Sequence, residues 1–172
     1  MLKWKVLQTG DPEMDATLKS LILRARTEHD CRSGATSDEI VDAEKRIGYR
    51  FTDDLRELLR ACNGIQFWKS GNYPCRLLPT SEIKPVHLFL EGDEGPRGLI
   101  AILESEGDFV GMGLDPESNC YSQLVDCSHE TFPYELFRVC NSLKEMLALI
   151  LDSKNAEWIW PAARASGVDF AE

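Results

Sequence analysis

Residues 36–64 read TSDEIVDAEKRIGYRFTDDLRELLRACNG. This stretch predicts two short helices, each with its own start and stop signal. Thr36 or Ser37 can cap the first, because a side-chain oxygen there satisfies an otherwise unpaired helical N–H. Asp38 and Glu39 suit the positive end of the helix dipole. Ile40, Ala43, Glu44 and Ile47 share one face, and Gly48 ends the helix. The second helix is predicted over 52–62, with Leu55, Leu58, Leu59 and Cys62 on one stripe. Asn63-Gly64 is the expected stop, since both residues tolerate the left-handed conformation.

Upstream, residues 13–28 predict another helix, with Met14, Leu18, Leu21, Ile22 and Ala25 at helical spacing. Residues 29–36 read as a loop. Downstream the character changes. Arg76-Leu77-Leu78-Pro79, Leu99-Ile100-Ala101-Ile102-Leu103, Phe109-Val110-Gly111-Met112-Gly113 and Tyr121-Ser122-Gln123-Leu124-Val125 are short runs separated by turn residues, and they predict strands. Residues 104–108 read as a hairpin connection, while Gly111 and Gly113 weaken their strand. A closing helix is predicted over 142–151, with Ser142 and Glu145 in capping-box spacing and Leu143, Met146, Leu147, Ile150 and Leu151 on its apolar face. Helices, then strands, then a helix favour an α+β fold with a mostly antiparallel sheet. No repeat or low-complexity linker interrupts the chain, so residues 1–172 are expected to form one domain, with 13–28 and 152–172 as extensions.

A length of 172 residues suits one domain with a core, and 43% hydrophobic with 28% charged residues speaks against extensive disorder. The net charge of −10 makes free nucleic acid a poor partner, because binding it needs cations at the phosphates. A basic protein is a better one. The charge is concentrated. Residues 91–135 hold Glu91, Asp93, Glu94, Glu104, Glu106, Asp108, Asp115, Glu117, Asp126, Glu130 and Glu135 against a single base, Arg97. A solvated face accounts for any one of these acids. Together they repel one another, which a basic partner would relieve. No apolar run reaches the length of a membrane span, and residues 1–12 lack the apolar core of a signal peptide. Six cysteines without a C-x-x-C pair then read as reduced thiols in a cytoplasmic protein.

No constellation for catalysis is legible, and the chain is read as a non-enzyme with no catalytic residues, metal ligands or cofactor. Glu104, Glu106 and Asp108 have carboxylate spacing that any acidic hairpin could give. Cys127 and His129 follow a strand into a loop, where an ordinary structural role is expected of both. Asp115-Pro116-Glu117-Ser118-Asn119 lacks the glycine and distal Glu of a calcium loop and reads as a turn. There is no P-loop, and Gly111-x-Gly113 is not a dinucleotide fingerprint. Trp158 and Trp160 read as caps on the core beside the last helix, with an interface anchor as the other reading; Phe67-Trp68 poses the same choice.

In combination, several of these pieces resemble one family. Ser37-Asp38-Glu39-Ile40, Ala43-Glu44, Gly48, Leu58-Leu59 and Asn63-Gly64 resemble the opening signature of the SUKH superfamily, a group that includes a fungal cell-wall assembly regulator. Residues 77–83, Ile100-Ala101-Ile102, Gly107-Asp108-Phe109, Leu114-Asp115 and residues 141–147 are similar to its later strands, hairpin and closing helix. The resemblance covers about 36–151. It departs at Phe51, where the family often has Pro, and at Leu143, where it usually has Phe. It implies a sheet of about five or six strands flanked by helices, and a protein that binds proteins. For bacterial members it implies immunity proteins that neutralise a cognate toxin, often a nuclease. The contact set expected on that basis is Asp93, Glu94, Glu106, Asp108, Asp115 and Glu117 for the toxin's Lys and Arg, with Phe109 and Tyr121 for desolvated contact. The alternative is a regulatory or scaffolding module of the same fold. The oligomeric state stays open.

Overall fold

The computed structural model describes residues 17–68, 74–90, 95–130, 132–134 and 136–153. Asp93, Glu94, Trp158, Trp160 and residues 13–16 of the first expected helix lie outside this set.

Helix α1 is Leu18–Glu28, with Thr17 Oγ1 accepting from Ser20 N. Helix α2 is Ser37–Ile47. Thr36 is its cap: Thr36 Oγ1 accepts from Glu39 N at 3.2 Å, and Thr36 N donates to Glu39 Oε2 at 2.7 Å. Gly48 closes it at φ 83°, left-handed backbone that glycine adopts without penalty. Helix α3 is Asp53–Ala61, capped by Thr52 and buried along Leu55, Leu58 and Leu59. It does not stop as the Asn-Gly pair suggested. Cys62 is already extended at φ −146°, and only Gly64 has positive φ. Asn63 instead acts as a tether: its N–H donates to Ser33 O, and its Oδ1 accepts from Thr80 N at 2.8 Å. Helix α4 is Leu143–Ser153. Ser142 Oγ accepts from Glu145 N, and Glu145 Oε2 reaches one residue further back, to Asn141 N.

Among the described residues, seven strands form one antiparallel meander in chain order: β1 Asp30–Cys31, β2 Ile65–Phe67, β3 Cys75–Leu77, β4 Leu99–Ser105, β5 Asp108–Gly113, β6 Leu124–Cys127 and β7 Phe137–Cys140. The sheet is larger than the expected five or six because it also takes in β1, β2 and β7, which are two to four residues long. The strand expected over 121–125 begins later, at Leu124; Tyr121 makes only an isolated bridge to Gly113.

Both faces of β4 and β5 are buried. Cross-strand pairing sets Arg76, Glu104, Phe109 and Cys127 in one row on one face. Phe89 covers that row, its ring 4.3 Å from Phe109, just after a 3-10 turn at Val86–Leu88. Met112 points to the opposite face, where its sulfur meets Thr52 at the start of α3. Helices α1, α3 and α4 pack against one another, and α4 contacts β7. The glycines of β5 have a use that their weak strand propensity hid. A Cβ at Gly113 would sit 2.2 Å from Cys120 O, and one at Gly111 would meet Leu99 and Cys127 at 2.9 Å. Both let chain or side chains close tightly over the strand.

Candidate protein-binding surface

A meander puts alternate connections at opposite ends of its sheet. The β2–β3, β4–β5 and β6–β7 connections share one end; the β3–β4 and β5–β6 connections share the other. This separates residues that are neighbours in sequence.

At the first end, Glu106 and Gly107 form the two-residue tip of the β4–β5 hairpin, with φ 53° and 93°. Positive φ at both positions is the geometry that matches strand twist. Glu106 is exposed there. Asp108 opens β5, and its Oδ1 accepts from His129 N at 2.9 Å while His129 Nδ1 lies 2.7 Å away. The hydrogen bond to Asp108, reinforced by its charge, raises the His129 pKa. Glu130 is exposed beside it, and Tyr134 in the same connection is 88% exposed.

At the other end, Asp115 Oδ1 accepts from Glu117 N at 3.0 Å, which fixes the turn. Glu117 is exposed, and Tyr121 is 45% exposed. Tyr121 borders a concavity of ≈ 420 Å³ shared with Tyr49, Arg50, Asp53 and Pro116. Five residue steps of about 3.3 Å along β5 put Asp108 and Gly113 roughly 17 Å apart. Glu106 and Asp108 therefore lie at the opposite end of β5 from Asp115, Glu117 and Tyr121. Phe109 leaves the expected contact set: it is 7% exposed and packed on Phe89, as a core residue of an inward-facing row.

Other acids of the window are occupied. Arg76 Nε donates to Glu104, and its Nη1 donates to Glu82 at 2.5 Å. Asp126 is fully buried. Among the described residues, Glu106, Glu117 and Glu130 are the acids of this window that are exposed. Tyr134 and His129 were not singled out as contacts from sequence; an aromatic side chain after a proline in a polar connection was the available signal for the first.

The weak chemical motifs come apart in three dimensions. Cys127 is buried, and burial first of all pushes its thiol up, while His129 is exposed and turned to Asp108. Glu104, Glu106 and Asp108 face Arg76, solvent and His129 respectively, so they line no common cleft. No group of three or more His, Cys, Asp or Glu gathers at metal-binding distance among the described residues, and none of their helices is long and apolar enough to cross a membrane.

Two residues that carried the family resemblance, Glu44 and Asn63, hold elements of the fold together. Glu44 accepts from Phe51 N at 2.7 Å and from both Nε and Nη2 of Arg56. Arg46 Nη2 donates to Thr80 O and Ile83 O, and with Asn63 it pins the turn that follows β3. A family model described as SMI1 / KNR4 family (SUKH-1) matches residues 34–149, which run from just before α2 into α4. No curated protein matches the chain.

Proposed function

The chain belongs to the SMI1 / KNR4 family (SUKH-1), whose domain includes immunity proteins, and from that premise we propose that it is a non-enzymatic immunity protein for one cognate toxin. The toxin is a basic protein of nuclease type. The observation that carries this reading is the acidic sheet end, where Glu106 and Glu130 are exposed beside Asp108 and the protruding ring of Tyr134. A nuclease cleft must carry Lys and Arg to hold phosphates. Carboxylates on a rigid hairpin tip can occupy the same cleft, and an exposed aromatic ring supplies the desolvated contact that charges alone lack.

The test is capture from a lysate of the source organism, with wild-type protein and E106K/E130K as parallel baits at low and high salt. The expected result is one basic protein that wild type retains at low salt, and that high salt and the double variant both release. That protein should cleave nucleic acid, and added wild-type chain should stop it. Recovery of a multi-subunit assembly without nuclease activity would replace this reading with a scaffolding one.

A further inference from the structure

His29 sits where three elements meet. Its N–H donates to Ala25 O at 2.9 Å and closes α1, and at φ −132° its backbone is already extended toward β1. Its ring lies edge-on to Phe67, the last residue of β2, and to Trp68, with centroids 5.2 and 4.4 Å apart. Nε2 of that ring is buried with no hydrogen-bond partner among the described residues. Trp68 is tied in turn to α4, its Nε1 donating to Ile150 O at 3.3 Å. The Trp68 backbone has φ 48°, a left-handed conformation that a bulky side chain rarely adopts. The contacts of its indole offset that strain.

Few charges act on the His29 ring. On α1, Glu28 favours its protonated form and Arg24 opposes it; Arg24 is itself bound to Glu28 at 2.9 Å and to Asp152 of α4 at 2.6 Å. Asp30 of β1 follows in the chain and is exposed. Strand β2 brings Ile65, Gln66 and Phe67, none of them charged. A neutral imidazole suits this place. An imidazolium donates from both nitrogens, and a charged donor buried without an acceptor costs far more than a neutral one. The aromatic faces are at most weak acceptors.

We propose that His29 and Trp68 form a latch that acid opens. On gaining a proton the imidazole turns out to water, Trp68 relaxes from its left-handed backbone, and the end of β2 parts from α4 while the centre of the sheet stays closed. Burial, the largest influence, lowers the His29 pKa in the shut form. The open form, near 6.5, binds the proton more readily, so the latch is shut above about 6.5 and opens as pH falls through the folded value. The joint lies at the sheet end that carries the β4–β5 hairpin tip.

The test is hydrogen exchange by NMR on the full chain at pH 7.5 and 5.0, with the His29 titration followed in the same samples. The indole N–H of Trp68 is identified by its loss in Trp68→Phe. Its protection, corrected for the intrinsic pH dependence of exchange, should fall roughly tenfold between the two conditions and track His29, while amides of β4 and β5 keep theirs. In His29→Phe, which keeps a ring against Trp68 and cannot titrate, protection should be the same at both pH values; His29→Gln gives the same comparison without the larger ring. Four results would overturn the proposal. Protection that stays constant while His29 titrates would show no coupling. Protection that rises in acid, with a His29 midpoint above 6.5, would show an imidazolium held by the indole as a cation–π pair. Parallel loss at β4 and β5 would show unfolding of the whole chain. A His29 still neutral at pH 5.0 would leave the latch without a trigger.

Discussion

Glu44 shows how one side chain can tie two helices together. It sits on α2, and its carboxylate takes the Arg56 fork of α3 and the N–H of Phe51 between them. Burial works to raise its pKa, but Arg56, the Phe51 N–H and the charge of Arg50 outweigh it and hold the carboxyl below its usual range. A carboxylate depressed by folding contributes stability above its unfolded pKa, about 4.3, and loses it as pH falls through the folded value. Glu44→Gln leaves Arg56 without its counter-charge, with both side chains under 20% exposed. Urea melts at pH 7 should show a loss of about 2–3 kcal/mol, and the gap between variant and wild type should narrow toward pH 3. Two histidines respond to pH in opposite senses. His29 lies edge-on to Trp68 and Phe67, at 4.4 and 5.2 Å, and burial lowers its pKa. Its contribution is present above about 6.5 and fades as pH falls. His129 is raised by Asp108, so its contribution is present below about 6.5 and fades as pH rises through the folded value. Proton NMR should find the His29 midpoint below 6.5 and the His129 midpoint above it, and Asp108→Asn should return only His129 toward 6.5.

At the scale of elements, what sequence could show depended on length and on local chemistry. The helices were legible because Thr36, Thr52 and Ser142 make side-chain caps that need no distant partner. Thr36→Ala removes such a cap and should cost about 1 kcal/mol in the same urea melts. Strands β1, β2 and β7 were not legible, because these short segments are defined by the neighbours they pair with. Gly113 was read as a defect for a related reason: its value lies in Cys120, whose approach depends on the turn at 114–122. A methyl group there would meet backbone and not a movable side chain, so Gly113→Ala should lose about 2–3 kcal/mol, despite the higher strand propensity of alanine. The acidic window was legible as charge but not as a surface. Counting along the chain joins Glu106 to Asp115, whereas β5 carries the chain between them to the other end of the sheet.

That separation decides how the whole molecule meets a basic partner. With a net charge of −10, the chain attracts cations from many directions. At physiological salt, however, screening acts over about 8 Å, less than half the roughly 17 Å that β5 sets between its ends. The partner therefore senses each end nearly independently, and steering depends on which end it docks against. If the hairpin end is the interface, E106K/E130K should slow association at least tenfold at 50 mM salt and flatten its salt dependence. Dissociation should change less, because exposed charges act mainly on encounter. Tyr134→Ala should do the reverse, speeding dissociation with little effect on association, since its ring contributes contact area and no charge. E117K/Y121A, at the far end, serves as the matched control and should leave both rates near wild type. Stopped-flow binding against the captured partner separates these effects. Loss of binding in E117K/Y121A with retention in E106K/E130K would move the interface to the concavity between Tyr49 and Tyr121. The mixed charges there, with Arg50 3.2 Å from Asp53, would then have to account for affinity without long-range steering.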